Sequence, residues 1–371
     1  MNHLHLLPLR DKHLHIPEHS ELLKTIYREV DEKLKVNQSA FRLRIWGKFI
    51  FYSSFSVLFY TLLFQTNNPY LFISYFIFYG LTVLLFAFNF SHDFSHNTIF
   101  KSKKLNNLCF TLIYTLVGAH AEAWKERHVG SHHYAPNVKD YDSDLNITSL
   151  IRVIPKSEYH WYHRFQHFYA PFAYTSYSMY WIFIKDFVIL FSKDTYNQKK
   201  DFNYHLSFWT QKAVYLSYLL ALPILFSNQA WQIVIIAFIL MHLIQSLFLL
   251  LTFFMTHHVE KTEYPETDKN GYIRTSWLMN QVKSSNDMHP FSETANFILG
   301  GFNNHIAHHI FPHYHHIYYP KLNRILYDIL LRNNITPNQT SYWGGILSHI
   351  NLLKLRGLKK EKQFTTIAKK S

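Results

Sequence analysis

Hydrophobic and polar positions are sharply segregated along this chain. Residues 49–65 form an apolar and aromatic run, and residues 70–90 a second one. Each is long enough for a helix that crosses the roughly 30 Å hydrocarbon core of a bilayer. Only Thr66-Asn67-Asn68-Pro69 separates them, which predicts a tight helical hairpin. Residues 207–226 and 231–254 repeat the pattern, joined by Ser227-Asn228-Gln229-Ala230. The remaining apolar stretches are shorter or mixed. Residues 105–119, ending at Gly118, predict a re-entrant or surface-lying helix. Residues 159–193 are aromatic but interrupted by Lys185 and Asp186, and they suit the membrane interface better than its centre. Residues 19–36, with Leu22, Leu23, Ile26, Tyr27 and Val30 at helical spacing, predict an amphipathic helix outside the membrane. Met1–Arg10 lack the apolar core of a signal peptide.

The fold expected is therefore all-α: a polytopic membrane protein with four spans in two hairpins, interfacial helices and a polar cap. A polar N-terminal segment (1–48) precedes the membrane domain (49–330), and a basic tail (331–371) follows it. Neither hairpin loop contains Lys or Arg, while the other connections and both tails are rich in them. The positive-inside rule puts those tails in the cytoplasm.

Composition sharpens this picture in three ways. Charged residues make up only 16% of the chain and aromatics 18%, so the near-neutral mean hydropathy averages two unlike kinds of segment. A single cysteine, Cys109, excludes internal disulfides and thiolate iron–sulfur centres. The net charge of +13 points to anionic partners: phospholipid headgroups, a phosphorylated carrier or coenzyme, or an acidic redox protein. No nucleic-acid-binding pattern accompanies it.

The candidate chemistry lies where the spans end. His92 and His96 stand at i, i+4 just after the second span. His128, His132 and His133 stand at i, i+4, i+5. His305, His308 and His309 stand at i, i+3, i+4. Helical spacing brings each group to one face. With 26 histidines in the chain, about two i, i+4 pairs arise by chance, so His92/His96 alone is weak and His163/His167 is a decoy. Each triplet is expected only about 0.1 times, so two triplets carry weight. His257 and His258 close the fourth span on the same side, whereas His242 lies deep within it and is expected to hydrogen-bond between helices. Eight imidazoles exceed what one ion needs and suit two. There is no E-x-x-H or H-E-x-x-H, which disfavours soluble-type diiron proteins and zincin proteases. A dimetal site beside acyl chains suggests oxidation of a lipid carbon–hydrogen bond with O₂.

The same residues resemble the membrane fatty acid desaturase superfamily. His92-Asp93-x-x-His96 matches its first histidine box. Trp124-Lys125-x-x-His128-x-x-x-His132-His133, with Asp142-x-Asp144 after it, matches the second. Gly300-Gly301-Phe302-Asn303-x-His305-x-x-His308-His309-x-Phe311-Pro312 matches the third. His163-Arg164-x-Gln166-His167-x-Tyr169-Ala170 and His258-Val259-Glu260 resemble stretches of the bacterial acyl-CoA and acyl-lipid branch. The resemblance covers roughly residues 20–330. It implies two iron ions held by His92, His96, His128, His132, His133, His305, His308 and His309, with His258 as the ninth ligand and His257 as its rival. Asp93, Asp142 and Asp144 are the candidates for orienting those ligands; a solvated turn is the alternative for the loop that also holds Asp140. The activity implied is O₂-dependent desaturation of an acyl chain carried by CoA, acyl carrier protein or a phospholipid. A membrane hydroxylase, ketolase or epoxygenase is the alternative with the same ligands. Three departures stand out. Front-end desaturases carry Gln where His305 stands, and many have a fused cytochrome b5 domain whose haem motif is not found here. Electrons are thus expected from a separate carrier such as ferredoxin or cytochrome b5. The branch also often has His where Asn280 stands.

Overall fold

A computed structural model describes residues 12–35, 38–139, 141–145, 148–192 and 200–359. Residues 1–11, 36–37, 140, 146–147, 193–199 and 360–371 lie outside it, and with them Met1–Arg10, Asp140 and the end of the basic tail. The described chain is built almost wholly of helices. In order they are α1 (Pro17–Lys33), α2 (Gln38–Leu63), α3 (Pro69–Ser95), α4 (Lys103–Val117), α5 (Ala121–Arg127), α6 (Gln166–Tyr174) and α7 (Phe202–Leu216). Then come α8 (Trp231–His257), α9 (Trp277–Lys283), α10 (Glu293–Leu299), α11 (His305–Ile310), α12 (Tyr319–Arg332) and α13 (Tyr342–Arg356).

The hairpin forms for local reasons. The Asn68 side chain accepts from the amides of Tyr70 and Leu71 at 2.9 and 3.2 Å, and Pro69 opens α3 with φ already fixed. α3 then packs between α2 and α8. Phe72, Phe76, Tyr79 and Val83 of α3 interdigitate with Val234, Ala237 and Met241 of α8 and with Leu63 of α2. The outward faces stay apolar: Ile50, Val57, Leu58, Phe78, Ile236 and Ile244 are all exposed. A row of exposed apolar side chains of this length is what hydrocarbon covers.

Two of the described helices, Pro69–Ser95 and Trp231–His257, are long and apolar enough to cross a membrane. The other two expected spans are helical but more polar. Tyr52, Ser53, Ser54, Ser56, Tyr60 and Thr61 dilute α2. The third, expected over 207–226, is α7 followed by a π-helical turn at Ser217–Ala221 and a short helix at Leu222–Phe226. It buries Lys212, whose ammonium donates to Asp186 Oδ2 and to the Gly118 carbonyl, each at 2.7 Å. Asp186, which breaks the apolar run at 159–193, thus has a buried partner. Its Oδ2 also accepts from the His120 amide at 2.8 Å.

The expected surface-lying helix is α4, with Leu105, Leu108 and Leu112 exposed and Phe110, Ile113 and Tyr114 buried. The 159–193 stretch is broken into short helices that expose Trp161, Phe168, Phe172, Val188 and Phe191. His242 bonds Ser178 Oγ through Nδ1 and Tyr215 Oη through Nε2, both at 2.8 Å, joining three elements.

Packing extends beyond both ends of the 49–330 segment. The buried stripe Leu22, Ile26 and Val30 of α1 meets Leu278 and Val282 of α9, Ile306 and Ile310 of α11, and Leu322 and Leu326 of α12. After residue 330, α13 buries His349, Leu352 and Leu353 against α8 and α6. A two-residue parallel pairing, Asp287–Met288 with Gln339–Thr340, ties its start to the strand before the third histidine group.

Candidate dimetal site

Every histidine group sits at a helix end or a deformed turn. α3 changes to π geometry at Ala87–Ser91 and resumes as His92–Ser95, with His96 as its C-cap. α5 runs into a second π turn, His128–His132, where the His133 amide bonds the His128 carbonyl at 3.1 Å. Such turns add one residue to the helical repeat and re-aim side chains, and they concentrate at functional sites. The third group opens α11. Gly300 and Gly301 have φ of 60° and 89°. A Cβ there would lie 2.4 Å from the Phe88 carbonyl oxygen and 2.5 Å from His316 Cβ, so only glycine fits. Asp287 starts the helix: its Oδ1 accepts from the Ile306 amide at 2.9 Å. Burial pushes that carboxyl up to about 7.

These elements bring two sets of four imidazoles together. One is His92, His96, His128 and His308. The other is His132, His257, His305 and His309. Within each set the nearest ring nitrogens all lie within 4.8 Å of one another. His133 stands between them, its ring centre 4.5 Å from that of His308 and 4.6 Å from that of His309. Eight of the nine residues expected as ligands are thereby gathered. Of the two candidates for the ninth position, the structure places His257 in the second set and His258 outside both. His258 turns its Nδ1 to the Tyr264 hydroxyl at 2.8 Å, and its ring centre is 6.4 Å from that of His257.

The hydrogen bonds test whether cations fit. His132 Nδ1 donates to Asp142 Oδ2 at 3.0 Å, His257 Nδ1 to the Ser284 carbonyl at 2.8 Å, and His309 Nδ1 to Gln281 Oε1 at 2.9 Å. A neutral ring protonated on Nδ1 carries a lone pair on Nε2. Yet His257 Nε2 lies 2.9 Å from His132 Nε2, 2.7 Å from His305 Nε2 and 3.2 Å from His309 Nε2. Only a proton or a metal cation reconciles lone pairs at that spacing. In the other set, His92 Nε2 and His128 Nε2 are 3.2 Å apart, while the buried Nε2 atoms of His96 and His308 have no hydrogen-bond partner. Burial, reinforced by the neighbouring imidazoles, holds His96, His128, His133, His305, His308 and His309 well below the usual histidine range. Neutral rings are the form that binds metal. For His132 burial acts in the same direction, but the Asp142 carboxylate outweighs it and raises the value.

The three aspartates divide their work. Asp142 bonds His132 directly and also accepts from the Asn137 amide at 2.9 Å. Asp144 pairs with Arg127 at 3.0 Å and lies 4.0 Å from His128 Nδ1. Asp93 turns away from the ring of His92. It accepts from the His316 amide at 3.2 Å and from His316 Nδ1, and the Lys48 ammonium lies 2.8 Å from His316 Nε2. Sequence patterns did not single out Lys48, His315, His316, Gln281 or Tyr319 for this neighbourhood. Asn280 bonds the Pro136 carbonyl and Ser284 Oγ, both at 2.9 Å, one step behind His257.

An apolar cavity reaches the first set. His92, Trp124 and Phe302 line it near the imidazoles, Leu84, Val117 and Ile182 line it elsewhere, and Arg127, Asp144 and Gln245 add a few polar groups. Trp124 stacks on His128 with centroids 4.4 Å apart. A buried cavity of this lining suits an aliphatic chain.

Comparison with known proteins agrees with this architecture. The fatty acid desaturase family profile matches residues 32–341. The chain is 30% identical over 291 residues to the sn-1 linoleoyl-lipid 6-desaturase of Arthrospira platensis, covering 76% of this chain and 77% of that one. It is 26% identical over 255 residues to the sn-1 linoleoyl-lipid 6-desaturase of Synechocystis, covering 67% and 70%. It is 27% identical over 276 residues to the acyl-lipid (8-3)-desaturase of Physcomitrium patens, covering 72% of this chain and 56% of that relative. With both histidine sets assembled and the profile spanning most of its length, the chain belongs to the fatty acid desaturase family, whose named members here are oxidoreductases acting on acyl lipids.

Proposed function

We propose that this protein is an O₂-dependent acyl-lipid desaturase that removes two hydrogens from adjacent carbons of an acyl chain. The carrying observation is the convergence of eight imidazoles in two sets, with a ninth, His133, between them, beside the wall of an apolar cavity. His92, His96, His128 and His308 would hold one iron, His132, His257, His305 and His309 the other, and His133 would lie between them. Two iron ions in these sets would supply the activation of O₂ that the reaction requires. The chain's own part is to fix ring orientation through Asp142, Gln281 and the Ser284 carbonyl, to exclude water, and to hold the substrate straight against Trp124 and Phe302. The acyl-lipid names of the relatives favour a chain esterified to a lipid.

α2 and the helix that begins at Phe202 would complete four membrane crossings with α3 and α8. The loops at 64–68 and 227–230 carry no Lys or Arg, which supports placing the histidines and both chain ends in the cytoplasm. Electrons would come from a separate acidic carrier, such as a ferredoxin or a cytochrome b5, drawn to a chain of net charge +13. Gas chromatography–mass spectrometry of whole-cell fatty acids tests the reading. Expression of the wild type, but not of His308→Ala, is expected to give an acid two mass units lighter than a host acid. An acid sixteen units heavier would make the protein a hydroxylase instead.

A further inference from the structure

A second cavity lies beside the first. Leu145, Thr148, Leu150, Val153 and Tyr180 contribute to its wall, and Tyr177, Leu250 and Phe254 are common to both cavities. Its rim reaches the surface: Leu150 is 44% exposed, and Phe168 and Phe172 expose their rings on the nearby α6. The lining is apolar apart from a few hydroxyls and one imidazole, that of His258.

His258 is a built feature of that wall. α8 ends at His257, and the C-cap dihedrals of His258 (φ −123°, ψ 62°) swing its ring away from the metal ligands. His349 Nδ1 donates to the His258 carbonyl at 2.7 Å, and the Tyr174 hydroxyl fixes His349 from behind, also at 2.7 Å. The ring itself is held by Tyr264, whose hydroxyl lies 2.8 Å from Nδ1. A phenol is a good donor and an imidazole nitrogen a good acceptor, so the ring proton resides on Nε2. An N–H donor in an otherwise apolar cavity calls for a carbonyl oxygen.

We propose that His258 Nε2–H binds the carbonyl oxygen of the acyl ester or thioester. The second cavity then holds the carboxyl end of the substrate, and the chain passes Tyr177 and Phe254 into the first cavity. This rests on the desaturase reading and adds to it the end from which the double bond is counted.

The test uses membranes of cells expressing the full chain, supplied with acyl groups of 16, 17 and 18 carbons. Each is presented once as phosphatidylcholine and once as the CoA thioester; whichever is turned over identifies the carrier. The wild type is expected to place its double bond at one fixed count from the carboxyl carbon at all three lengths. His258→Phe keeps a ring but loses the donor. It is expected to spread the product over neighbouring positions and to raise KM about three- to tenfold, the effect of one neutral hydrogen bond, with iron content unchanged. His258→Gln, which restores a donor, should narrow the spread again. Tyr264→Phe, which removes only the hydroxyl that sets the tautomer, should spread it partially, and it decides the matter should His258→Phe fail to accumulate. A double bond that keeps its count from the methyl end overturns the proposal. So does loss of iron from His258→Phe, or an unchanged product position and KM in both His258→Phe and Tyr264→Phe. A wild type that forms no double bond on either carrier removes the desaturase reading itself.

Discussion

The two imidazole sets are alike in number and unlike in support. In the set of His132, His257, His305 and His309, three rings have their outer nitrogens bound at 2.8–3.0 Å by Ser284, Gln281 and Asp142. In the set of His92, His96, His128 and His308, the one such contact among the described residues is a 3.3 Å approach of His308 Nδ1 to the Tyr319 hydroxyl, and the buried His128 Nδ1 has no hydrogen-bond partner among them. The second of these sets also borders the acyl cavity through His92. Outer hydrogen bonds fix tautomer and orientation and strengthen a ligand. A metal in the first of these sets would therefore sit in a braced cage, and one in the second in a looser cage beside the apolar cavity.

The hardest blow to this contrast is aimed at its centre. His257→Ala removes the ring that meets three others, and activity is expected to fall more than about a hundredfold, with close to one iron lost per chain by metal analysis. Full iron content in that variant would show that the braced set is not a metal cage. Asp142→Asn keeps the size of the side chain but not its charge. It is expected to weaken the braced site about ten- to a hundredfold, read as a lower chelator concentration for half-release of iron. In the wild type, chelation is expected to proceed in two phases, the cavity-side iron leaving first; a single phase would erase the difference between the sets. The smallest effect is expected from Tyr319→Phe. A 3.3 Å contact is long, and its loss should change activity less than about threefold.

Much of this site was legible because its chemistry is local. A metal needs several rings on one face, and helical spacing writes that need into i, i+3 and i+4 intervals. His257 and His258 could not be told apart on those grounds, because both stand at the end of an apolar run. What separates them is where α8 stops: His257 is its last residue and joins the second set, while His258 lies one residue past it with its ring turned elsewhere. Gln281 and Tyr319 left no trace in the sequence because their roles arise only when α9 and α12 pack behind α11. The membrane helices show the same division. Pure apolar runs declared α3 and α8, whereas Lys212 makes sense inside a helix only once Asp186 is seen beside it.

α1 carries a consequence for how the protein is made. Its buried stripe, emerging among the first residues of the chain, completes the packing behind α11, and the Tyr27 hydroxyl reaches the Ile310 carbonyl 283 residues later at 3.1 Å. That contact is among the most distant in the chain, and it cannot form while the ribosome is still translating the middle of the protein. The third group of histidines therefore acquires its backing from α1 only after Ile310 has been synthesised. A metal held by His305, His308 and His309 would thus be acquired late, after α1 has docked behind α11.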